Sequence, residues 1–237
     1  MITGGCSGLG WAIAQRCNKA QVTLLDVRSP PAAHNYRFVN HDVGNAAAWA
    51  KLADSCDRPD VLFLNAGTMS ADSGSPAHMY RFSESTAESY TKTRAVNIDG
   101  VVFGLQALLP RMPPNSCIVV TVSLAGLHAY PFDPIYATTK HALIGLVRSL
   151  KDELLERDIR IHAFCPNRIA TPLLPEATKT PEDLSPEVAA EAALSLVNET
   201  SSGFAWALHS SNEPLQRFPA KSQSVVRRVL NKLGRNP

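Results

Sequence analysis

Long hydrophobic runs are absent from this 237-residue chain, and neither sign of charge dominates it. No apolar run approaches the roughly 20 residues that a membrane-spanning helix needs, and the first residues lack the charged-then-apolar layout of a secretory signal. With 23 basic and 21 acidic residues, the net charge of +2 gives no electrostatic footprint for nucleic acid. The sequence therefore predicts a cytoplasmic protein that binds neither membrane nor nucleic acid and whose partner is a small molecule.

Clusters of metal-ligating residues are lacking as well. The five cysteines are odd in number and widely spaced, which favours reduced thiols over a disulfide framework, and the seven histidines show no ligand spacing. We therefore expect no metal site. A chain of this length can bury one sizeable core. We expect one domain over residues 1–219, followed by a basic tail over 220–237 whose pattern is more typical of a surface helix or disorder than of a binding site.

A glycine-rich turn at Gly4, Gly8 and Gly10 opens the chain. Apolar residues then recur at helical spacing, so the turn leads into a helix. Glycine permits a tight turn and close approach of the backbone to a ligand, and the amino terminus of a helix offers unpaired N–H groups to a pyrophosphate. We interpret the turn, with Ser7 and Leu9, as a nucleotide-binding loop, although an ordinary turn would carry the same residues.

The second strand-like run, over residues 22–26, ends in Asp26. A carboxylate at this point of a nucleotide-binding βαβ unit can accept hydrogen bonds from the adenosine ribose hydroxyls, and it repels a 2′-phosphate. This favours NAD over NADP. Arg28 moderates that preference, because a guanidinium there could meet a phosphate. We expect Arg28 to lie over the adenine or to point to solvent.

Strand-like and helical patterns alternate along the chain, which predicts an α/β fold with a doubly wound parallel sheet, the Rossmann fold. Further strands are expected over 36–40, 60–64, 117–122, 160–165 and, as the last, 204–208. Helices are expected over 45–55, 84–96, 97–109, 134–156 and 187–197, and a loop over 68–83. Ligands bind beyond the carboxyl ends of such strands. The residues expected there are Asp42, Val43, Asn65, Ala66, Gly67, Ser123 and the loop after Pro166.

The most informative stretch runs from Ser123 to Lys140. It ends with Tyr136 and Lys140, whose four-residue offset places both side chains on one face of a helix. A phenol with a pKa of roughly 10 becomes a useful base near neutral pH only if a neighbouring cation stabilises the phenolate. Lys140 would supply that charge, and Ser123 would hold the substrate oxygen. The stretch therefore predicts proton transfer to or from an alcohol.

Over nearly its whole length, the chain resembles the short-chain dehydrogenase/reductase family. The motifs that carry the resemblance are Thr3-Gly4-x-x-x-Gly8-x-Gly10, Asn65-Ala66-Gly67, and Ser123 with Tyr136-x-x-x-Lys140. The resemblance implies that Asn97 is a fourth catalytic member, holding a water in a proton relay through Lys140. It also implies that Thr171, with Pro166 and Ile169, contacts the nicotinamide end of the cofactor, as do Tyr136 and Lys140.

The implied activity is an NAD(P)-dependent interconversion of a secondary alcohol and a ketone, with Tyr136 as acid and base. The alternative is a catalytically silent nucleotide-binding protein with a regulatory or scaffolding role, against which the complete set of catalytic residues argues. We expect a small, largely apolar substrate in a pocket lined by Leu124, His128, Tyr130, Phe132, Leu173 and Leu174. Apolar residues on more than one face of the helices over 97–111 and 134–156 predict a homodimer or homotetramer.

Two departures from the family pattern stand out. Asn167 follows Pro166 where the family usually has glycine, and asparagine tolerates the left-handed backbone that such a turn would need. Only three residues precede the glycine turn, whereas a central strand normally needs about five, so either the first strand is clipped or the natural chain begins upstream. A weaker resemblance, to the NAD-dependent 15-hydroxyprostaglandin dehydrogenase-like branch, rests on Asp26 and the region over 185–219.

Overall fold

The computed structural model describes residues 1–17, 20–31, 34–70, 82–174 and 178–218. The predicted basic tail and most of the loop predicted over 68–83 lie outside these residues. Within them, no helix combines the length and the apolar character needed to cross a membrane. All five cysteines lie in the described part of the chain, and all are free thiols.

One sheet of eight strands, in the order β3-β2-β1-β4-β5-β6-β7-β8, forms the centre of the molecule. The strands are β1 (Ile2–Thr3), β2 (Thr23–Asp26), β3 (Arg37–Asn40), β4 (Val61–Leu64), β5 (Cys117–Thr121), β6 (Arg160–Pro166), β7 (Phe204–Leu208) and β8 (Gln216–Phe218). The first seven pair in parallel, so the predicted doubly wound sheet is confirmed. The prediction that 204–208 is the last strand is wrong, because β8 adds an antiparallel edge to β7. Its polar, three-residue sequence carries no strand pattern of its own.

The first strand is short but central, because β1 pairs with both β2 and β4. The Met1 amino group donates to the Val61 carbonyl at 2.9 Å, and burial lowers the pKa of that group to about 6. The sheet order reverses between β1 and β4. Ligands of open α/β sheets bind beside such a switch point, at the carboxyl ends of the strands.

Helices cover both faces of the sheet. They are α1 (Gly8–Arg16), α2 (Ala46–Ser55), α3 (Ala87–Arg94), α4 (Gly100–Leu108), α5 (Pro134–Leu155) and α6 (Pro186–Ser195). The α1 and α6 helices pack together on one face around buried residues such as Phe164, while α2, α4 and α5 contribute to a second core that includes Leu64 and Val120. Between α3 and α4, residues Ala95–Asp99 form a π-helical turn. The two helices predicted on either side of residue 97 are therefore joined through this turn.

Candidate active site

A cavity of about 570 Å³ runs along the carboxyl ends of the parallel strands. Sixteen of the predicted site residues line it: Gly4, Ser7, Gly8, Leu9, Asp26, Asp42, Val43, Asn65, Ala66, Gly67, Ser123, Tyr136, Lys140, Pro166, Ile169 and Thr171. Two further predicted residues, Gly10 and Asn97, are not among the lining residues. The structure thus brings predicted residues between positions 4 and 171 into one continuous site.

The glycine turn is shaped by its backbone. Gly4 and Gly8 have φ angles of 61° and 48°, in the left-handed region that favours glycine. Gly10 acts through close packing, since a Cβ there would lie 2.1 Å from the Gly4 carbonyl oxygen. Gly10 therefore helps to hold the turn, and its predicted contact with the cofactor stays a prediction. Gly8 packs beneath Thr171 from the loop after β6.

Asn65 ties together the three central strands. Its backbone N–H donates to the Thr3 hydroxyl at 2.8 Å, and its side-chain amide donates to the Thr3 carbonyl at 3.2 Å. Its amide oxygen accepts from the Thr121 hydroxyl of β5 at 3.1 Å. Asn65 lines the cavity while holding β1, β4 and β5 in register at the switch point.

At the end of the cavity beside β2, Asp26 is held by backbone donors. Its carboxylate accepts from the Cys6 N–H and from the Arg28 N–H, each at 3.0 Å. The Arg28 guanidinium donates to the Ser7 hydroxyl at 2.6 Å and lies 3.6 Å from the Asp26 carboxylate. The sequence predicts that Arg28 lies over the adenine or points to solvent. In the structure its half-exposed side chain reaches across to the glycine turn, because it is attracted to Asp26.

The next wall of this end is formed by Asp42 and Val43. The Asp42 carboxylate accepts from the Gly44 N–H at 2.9 Å, and the indole of Trp49 donates to the Val43 carbonyl at 2.8 Å. His41 is buried beneath them with its ring 4.4 Å from that of Trp49, and burial lowers its pKa. These contacts fix the backbone of the wall from below.

At the other end of the cavity, Ser123, Tyr136 and Lys140 converge as predicted. Ser123 follows β5 and lines the cavity together with Tyr136 and Lys140. The Lys140 ammonium donates to the Thr121 carbonyl at 3.0 Å and lies 5.4 Å from the centre of the Tyr136 ring. Tyr136 and Lys140 are 8% and 2% exposed, so the two groups meet in a site largely closed to water.

Burial controls the ionisation of this pair. It raises the pKa of Tyr136, and the neighbouring Ser123 side chain offsets only part of that rise. Burial also lowers the pKa of Lys140 to about 8. Desolvation of the phenolate is the largest cause of that rise, and the expected lowering of the Tyr136 pKa by Lys140 stays a prediction. The arrangement holds Tyr136 as a neutral phenol, which suits proton donation to a carbonyl oxygen.

Asn97 lies in the π turn, fully buried behind Gly67. Its side-chain oxygen accepts from the Thr68 N–H at 2.8 Å, and its amide donates to the Thr68 carbonyl at 2.9 Å and to the Thr139 hydroxyl at 3.0 Å. A π turn inserts one residue into the helical repeat and is frequent at functional sites. Here it turns Asn97 toward the segment that follows β4.

Asp133 and Thr139 do not line the cavity but hydrogen-bond the backbone of Tyr136, and motif analysis missed both. Asp133 is fully buried and caps α5, accepting from the Tyr136 N–H at 2.9 Å. Thr139 is also buried, and its hydroxyl donates to the Tyr136 carbonyl at 2.7 Å. The Asp-Pro pair at the helix start could have indicated a cap. The hydrogen bonds between Asp133 and Ser70 have no signal in the sequence.

Four of the six residues expected to surround the substrate line the cavity. Leu124, Tyr130, Leu173 and Leu174 line the cavity, whereas His128 and Phe132 do not. The ring of His128 packs against that of Phe218, at 6.1 Å between centroids, because the unpredicted β8 lies beside it. Phe132 is 54% exposed.

The loop after β6 closes this side of the cavity. Its ends are joined by a bridge between Ile169 and Leu184, and by an ion pair of 2.8 Å between Arg168 and Asp183. Asn167 does not take the left-handed backbone expected of it, since positive φ outside glycine occurs only at Asn115 and Asp158 in the described chain. Its N–H instead continues the pairing of β6 with β7.

The fold, the glycine turn and the position of the cavity define a Rossmann-type nucleotide-binding protein. Residues 1–182 match the family model for short chain dehydrogenases. Levodione reductase of Leifsonia aquatica is 30% identical over 211 residues, which cover 81% of this chain and 76% of that protein. The chain belongs to the short-chain dehydrogenase/reductase family of oxidoreductases, whose fold binds a nicotinamide cofactor.

Solved structures share the fold at low sequence identity. A short chain dehydrogenase from Burkholderia cenocepacia J2315 in complex with NADP superposes with a TM-score of 0.75 at 20% identity, covering 90% of this chain and 96% of that one. 4-Hydroxyisoleucine dehydrogenase complexed with NADH gives 0.73 at 22% identity, covering 89% and 96%. Since the fold occurs with either cofactor, the choice between them lies in individual side chains.

Proposed function

We propose that this protein is an NAD(H)-dependent oxidoreductase that interconverts a secondary alcohol and a ketone, with Tyr136 as the acid and base. The observation that carries the proposal is the convergence of Ser123 with the buried Tyr136 and Lys140 at the carboxyl end of β5. A hydroxyl, a phenol and an ammonium in this order can bind a substrate oxygen, exchange a proton with it and stabilise the resulting charge.

In the reducing direction, Tyr136 donates its proton to the carbonyl oxygen while Ser123 donates a hydrogen bond to the same atom. A nicotinamide cofactor would supply the hydride, or accept it in the reverse direction. Burial favours the neutral phenol, so Tyr136 is ready to donate a proton at neutral pH. Lys140, with a pKa lowered to about 8, lies beside the phenol as the next proton source, and Asn97 lies behind it as the expected end of the relay.

The cavity fits a dinucleotide in shape and chemistry. The glycine turn, with Ser7 and Leu9, would hold the pyrophosphate at the amino terminus of α1. Asp26 would accept from the adenosine ribose, and Asp42 with Val43 would flank the adenine. Asn65 with Ala66 and Gly67 would line the path between the two ends. Pro166, Ile169 and Thr171, on the loop that packs against Gly8, would contact the nicotinamide.

NAD rather than NADP is proposed because of Asp26. A carboxylate with little exposure repels a 2′-phosphate, and like charges in contact can cost several kcal/mol. The Arg28 guanidinium, the candidate cation beside it, is engaged by Ser7 and Asp26. In the alternative, a 2′-phosphate displaces the Ser7 hydroxyl from Arg28, and the protein uses NADP.

The substrate is proposed to be a small, largely apolar alcohol or ketone. Leu124, Tyr130, Leu173 and Leu174 surround the proton-transfer end of the cavity. One relative is named levodione reductase, and this name describes an enzyme that reduces a carbonyl compound. We further propose a cytoplasmic location.

A homodimer or homotetramer is proposed on the outer face of α5. Small residues are exposed there at helical spacing: Thr138, Ala142, Gly145 and Ser149. A Cβ added at Gly145 would meet nothing within 4 Å, so a second helix can approach the backbone closely. Light scattering at micromolar concentration should give twice or four times the monomer mass, and a monomeric mass would contradict the proposal.

Turnover of secondary alcohols tests the function. The protein should convert NAD⁺ to NADH with members of a panel of apolar secondary alcohols, followed by nicotinamide fluorescence, and should oxidise NADH with the matching ketones. The same panel with Tyr136→Phe gives the background rate. Binding of NADH without turnover across the panel would favour the catalytically silent alternative.

A further inference from the structure

The segment that follows Gly67 is held from two directions. At one end, Asn97 binds both the N–H and the carbonyl of Thr68, at 2.8 and 2.9 Å. At the other end, Asp133 accepts from the Ser70 N–H at 2.8 Å and from the Ser70 hydroxyl at 2.6 Å. Residues 68–70 therefore run between two buried polar side chains that lie 36 positions apart in the chain.

Both side chains also reach the backbone of Tyr136. Asp133 accepts from the Tyr136 N–H at 2.9 Å. Asn97 donates to the hydroxyl of Thr139, which in turn donates to the Tyr136 carbonyl at 2.7 Å. The hydrogen bonds thus form a closed ring, in which the peptide groups on both sides of Tyr136 are tied to the segment over 68–70.

A helix cap alone does not require a carboxylate at this position. Asn and Ser cap helices about as well as Asp, and burying a carboxylate is costly unless it is fully hydrogen-bonded. Asp133 is fully buried and receives three donors, two from Ser70 and one from Tyr136. Only a group that accepts at both oxygens satisfies all three, since the amide nitrogen of Asn would face the Ser70 N–H.

We propose that Asp133 is a positioning residue for proton transfer, which fixes the Tyr136 phenol relative to residues 68–70 and keeps negative charge behind it. The proposal rests on the proposed function. The groups that act on the Tyr136 phenol are Ser123, Tyr130, Asp133 and Cys165, with Lys140 beside the ring. Burial is the largest cause of its raised pKa, and Asp133 adds to the rise, so its negative charge favours the protonated, donor form of the phenol.

Two variants separate position from charge. Asp133→Asn removes the charge and one Ser70 contact. It should lower kcat at least ~10-fold and leave the KM for NAD⁺ within ~2-fold of the wild-type value. The reason is that misplacement of a reacting group affects mainly the chemical step. The rise of kcat with pH during alcohol oxidation should also move at least ~0.5 unit to lower pH. Ser70→Ala keeps the carboxylate, and should lower kcat without that pH shift.

Ser185→Ala provides the matched control, since it removes the side-chain cap of α6 outside the cavity. It should lower the melting temperature and leave kcat unchanged. If Asp133→Asn lowers stability but keeps the wild-type kcat and pH profile, Asp133 is only a structural cap of α5 and the proposal is overturned. If Asp133→Asn does not fold, unchanged kcat in Ser70→Ala overturns it instead. Lack of turnover in the wild-type protein is a separate result, which contradicts the proposed function itself.

Discussion

The two ends of the cavity are built differently. At the proton-transfer end, Asn97, Tyr136 and Lys140 are each at most 8% exposed, and the side chains of Asn97 and Lys140 are hydrogen-bonded. At the adenosine end, the side chains of Arg28 and Val27 are about 60% exposed beside a buried Asp26. The groups proposed to exchange protons are thus fixed by packing, whereas at the adenosine end Asp26 is buried and its neighbours Arg28 and Val27 lie partly in solvent.

This difference predicts how each end responds to substitution. A change at the proton-transfer end leaves buried polar groups without partners, so it alters both the reaction and the structure. A change at Arg28 removes one exposed guanidinium and its contact with the Ser7 hydroxyl. Cofactor preference should therefore be easier to alter than the chemistry.

The largest effect is expected for Tyr136→Phe. Loss of the phenol hydroxyl removes the proton donor, so kcat should fall at least ~100-fold, the lower end of typical acid–base contributions. Affinity for NADH, measured by fluorescence titration, should stay within ~2-fold. Tyr130→Phe is the matched control, with its ring 6.2 Å from that of Tyr136, and should cost far less. Near-full activity of Tyr136→Phe would contradict the assignment.

Local periodicity explains why much of this end could be predicted. Tyr136 and Lys140 share a helical face whatever the tertiary packing, and the β-branched run before Ser123 indicates a buried strand. Asn97 was assigned through the family resemblance, and the π turn that orients it has no pattern in the sequence. The contact between Ser70 and Asp133 spans 63 residues and depends on how two loops meet.

Cofactor choice is the next largest effect. We expect NAD(H) to be preferred at least ~10-fold in kcat/KM, equivalent to about 1.4 kcal/mol. Asp26→Ala should narrow that gap, chiefly by improving activity with NADP(H), because it removes the carboxylate that repels a 2′-phosphate. Steady-state kinetics with both cofactors measure this.

Arg28→Ala sharpens the same test. If Arg28 only bridges Ser7 and Asp26, its removal should leave the ratio between the cofactors nearly unchanged. A selective loss of activity with NADP(H), together with equal or better use of NADP(H) by the wild-type protein, would make Arg28 a phosphate ligand and refute the NAD assignment.

The adenosine end shows where sequence reasoning stops. The position of Asp26 at the tip of β2 follows from the strand pattern. The partner of Arg28 does not, because it depends on a side-chain conformation and on Ser7, which lies 21 residues earlier in the chain. The edge strand β8 could not be predicted for a related reason. It pairs with β7 because the chain folds back beside that strand, and its own mostly polar residues show no strand pattern.

The smallest expected effect compares two buried histidines, one beside the adenosine end and one near the start of β6, away from the cavity. His41 lies under the adenosine end, and His162 lies in β6, the strand that carries the loop over the proton-transfer end. His162 is fully buried, its ring accepts from the Trp206 indole at 3.2 Å, and burial lowers its pKa to about 4. The pKa of His41 is lowered as well, but the neighbouring Asp42 opposes that shift.

Acid should therefore destabilise the protein, and more through His162 than through His41. Below a pH of about 6.5, the ordinary pKa of histidine, the unfolded chain binds a proton at His162 that the folded protein excludes until the pH reaches about 4. Between pH 7.5 and 6.0 this linkage should remove about 0.8 kcal/mol from the free energy of unfolding. His162→Gln keeps an acceptor for the Trp206 indole and should abolish this loss of unfolding free energy, measured by urea unfolding at both pH values. His41→Gln should reduce the acid-induced loss of unfolding free energy by a smaller amount. An acid-induced loss that is unchanged in His162→Gln would show that this histidine titrates alike in the folded and unfolded states.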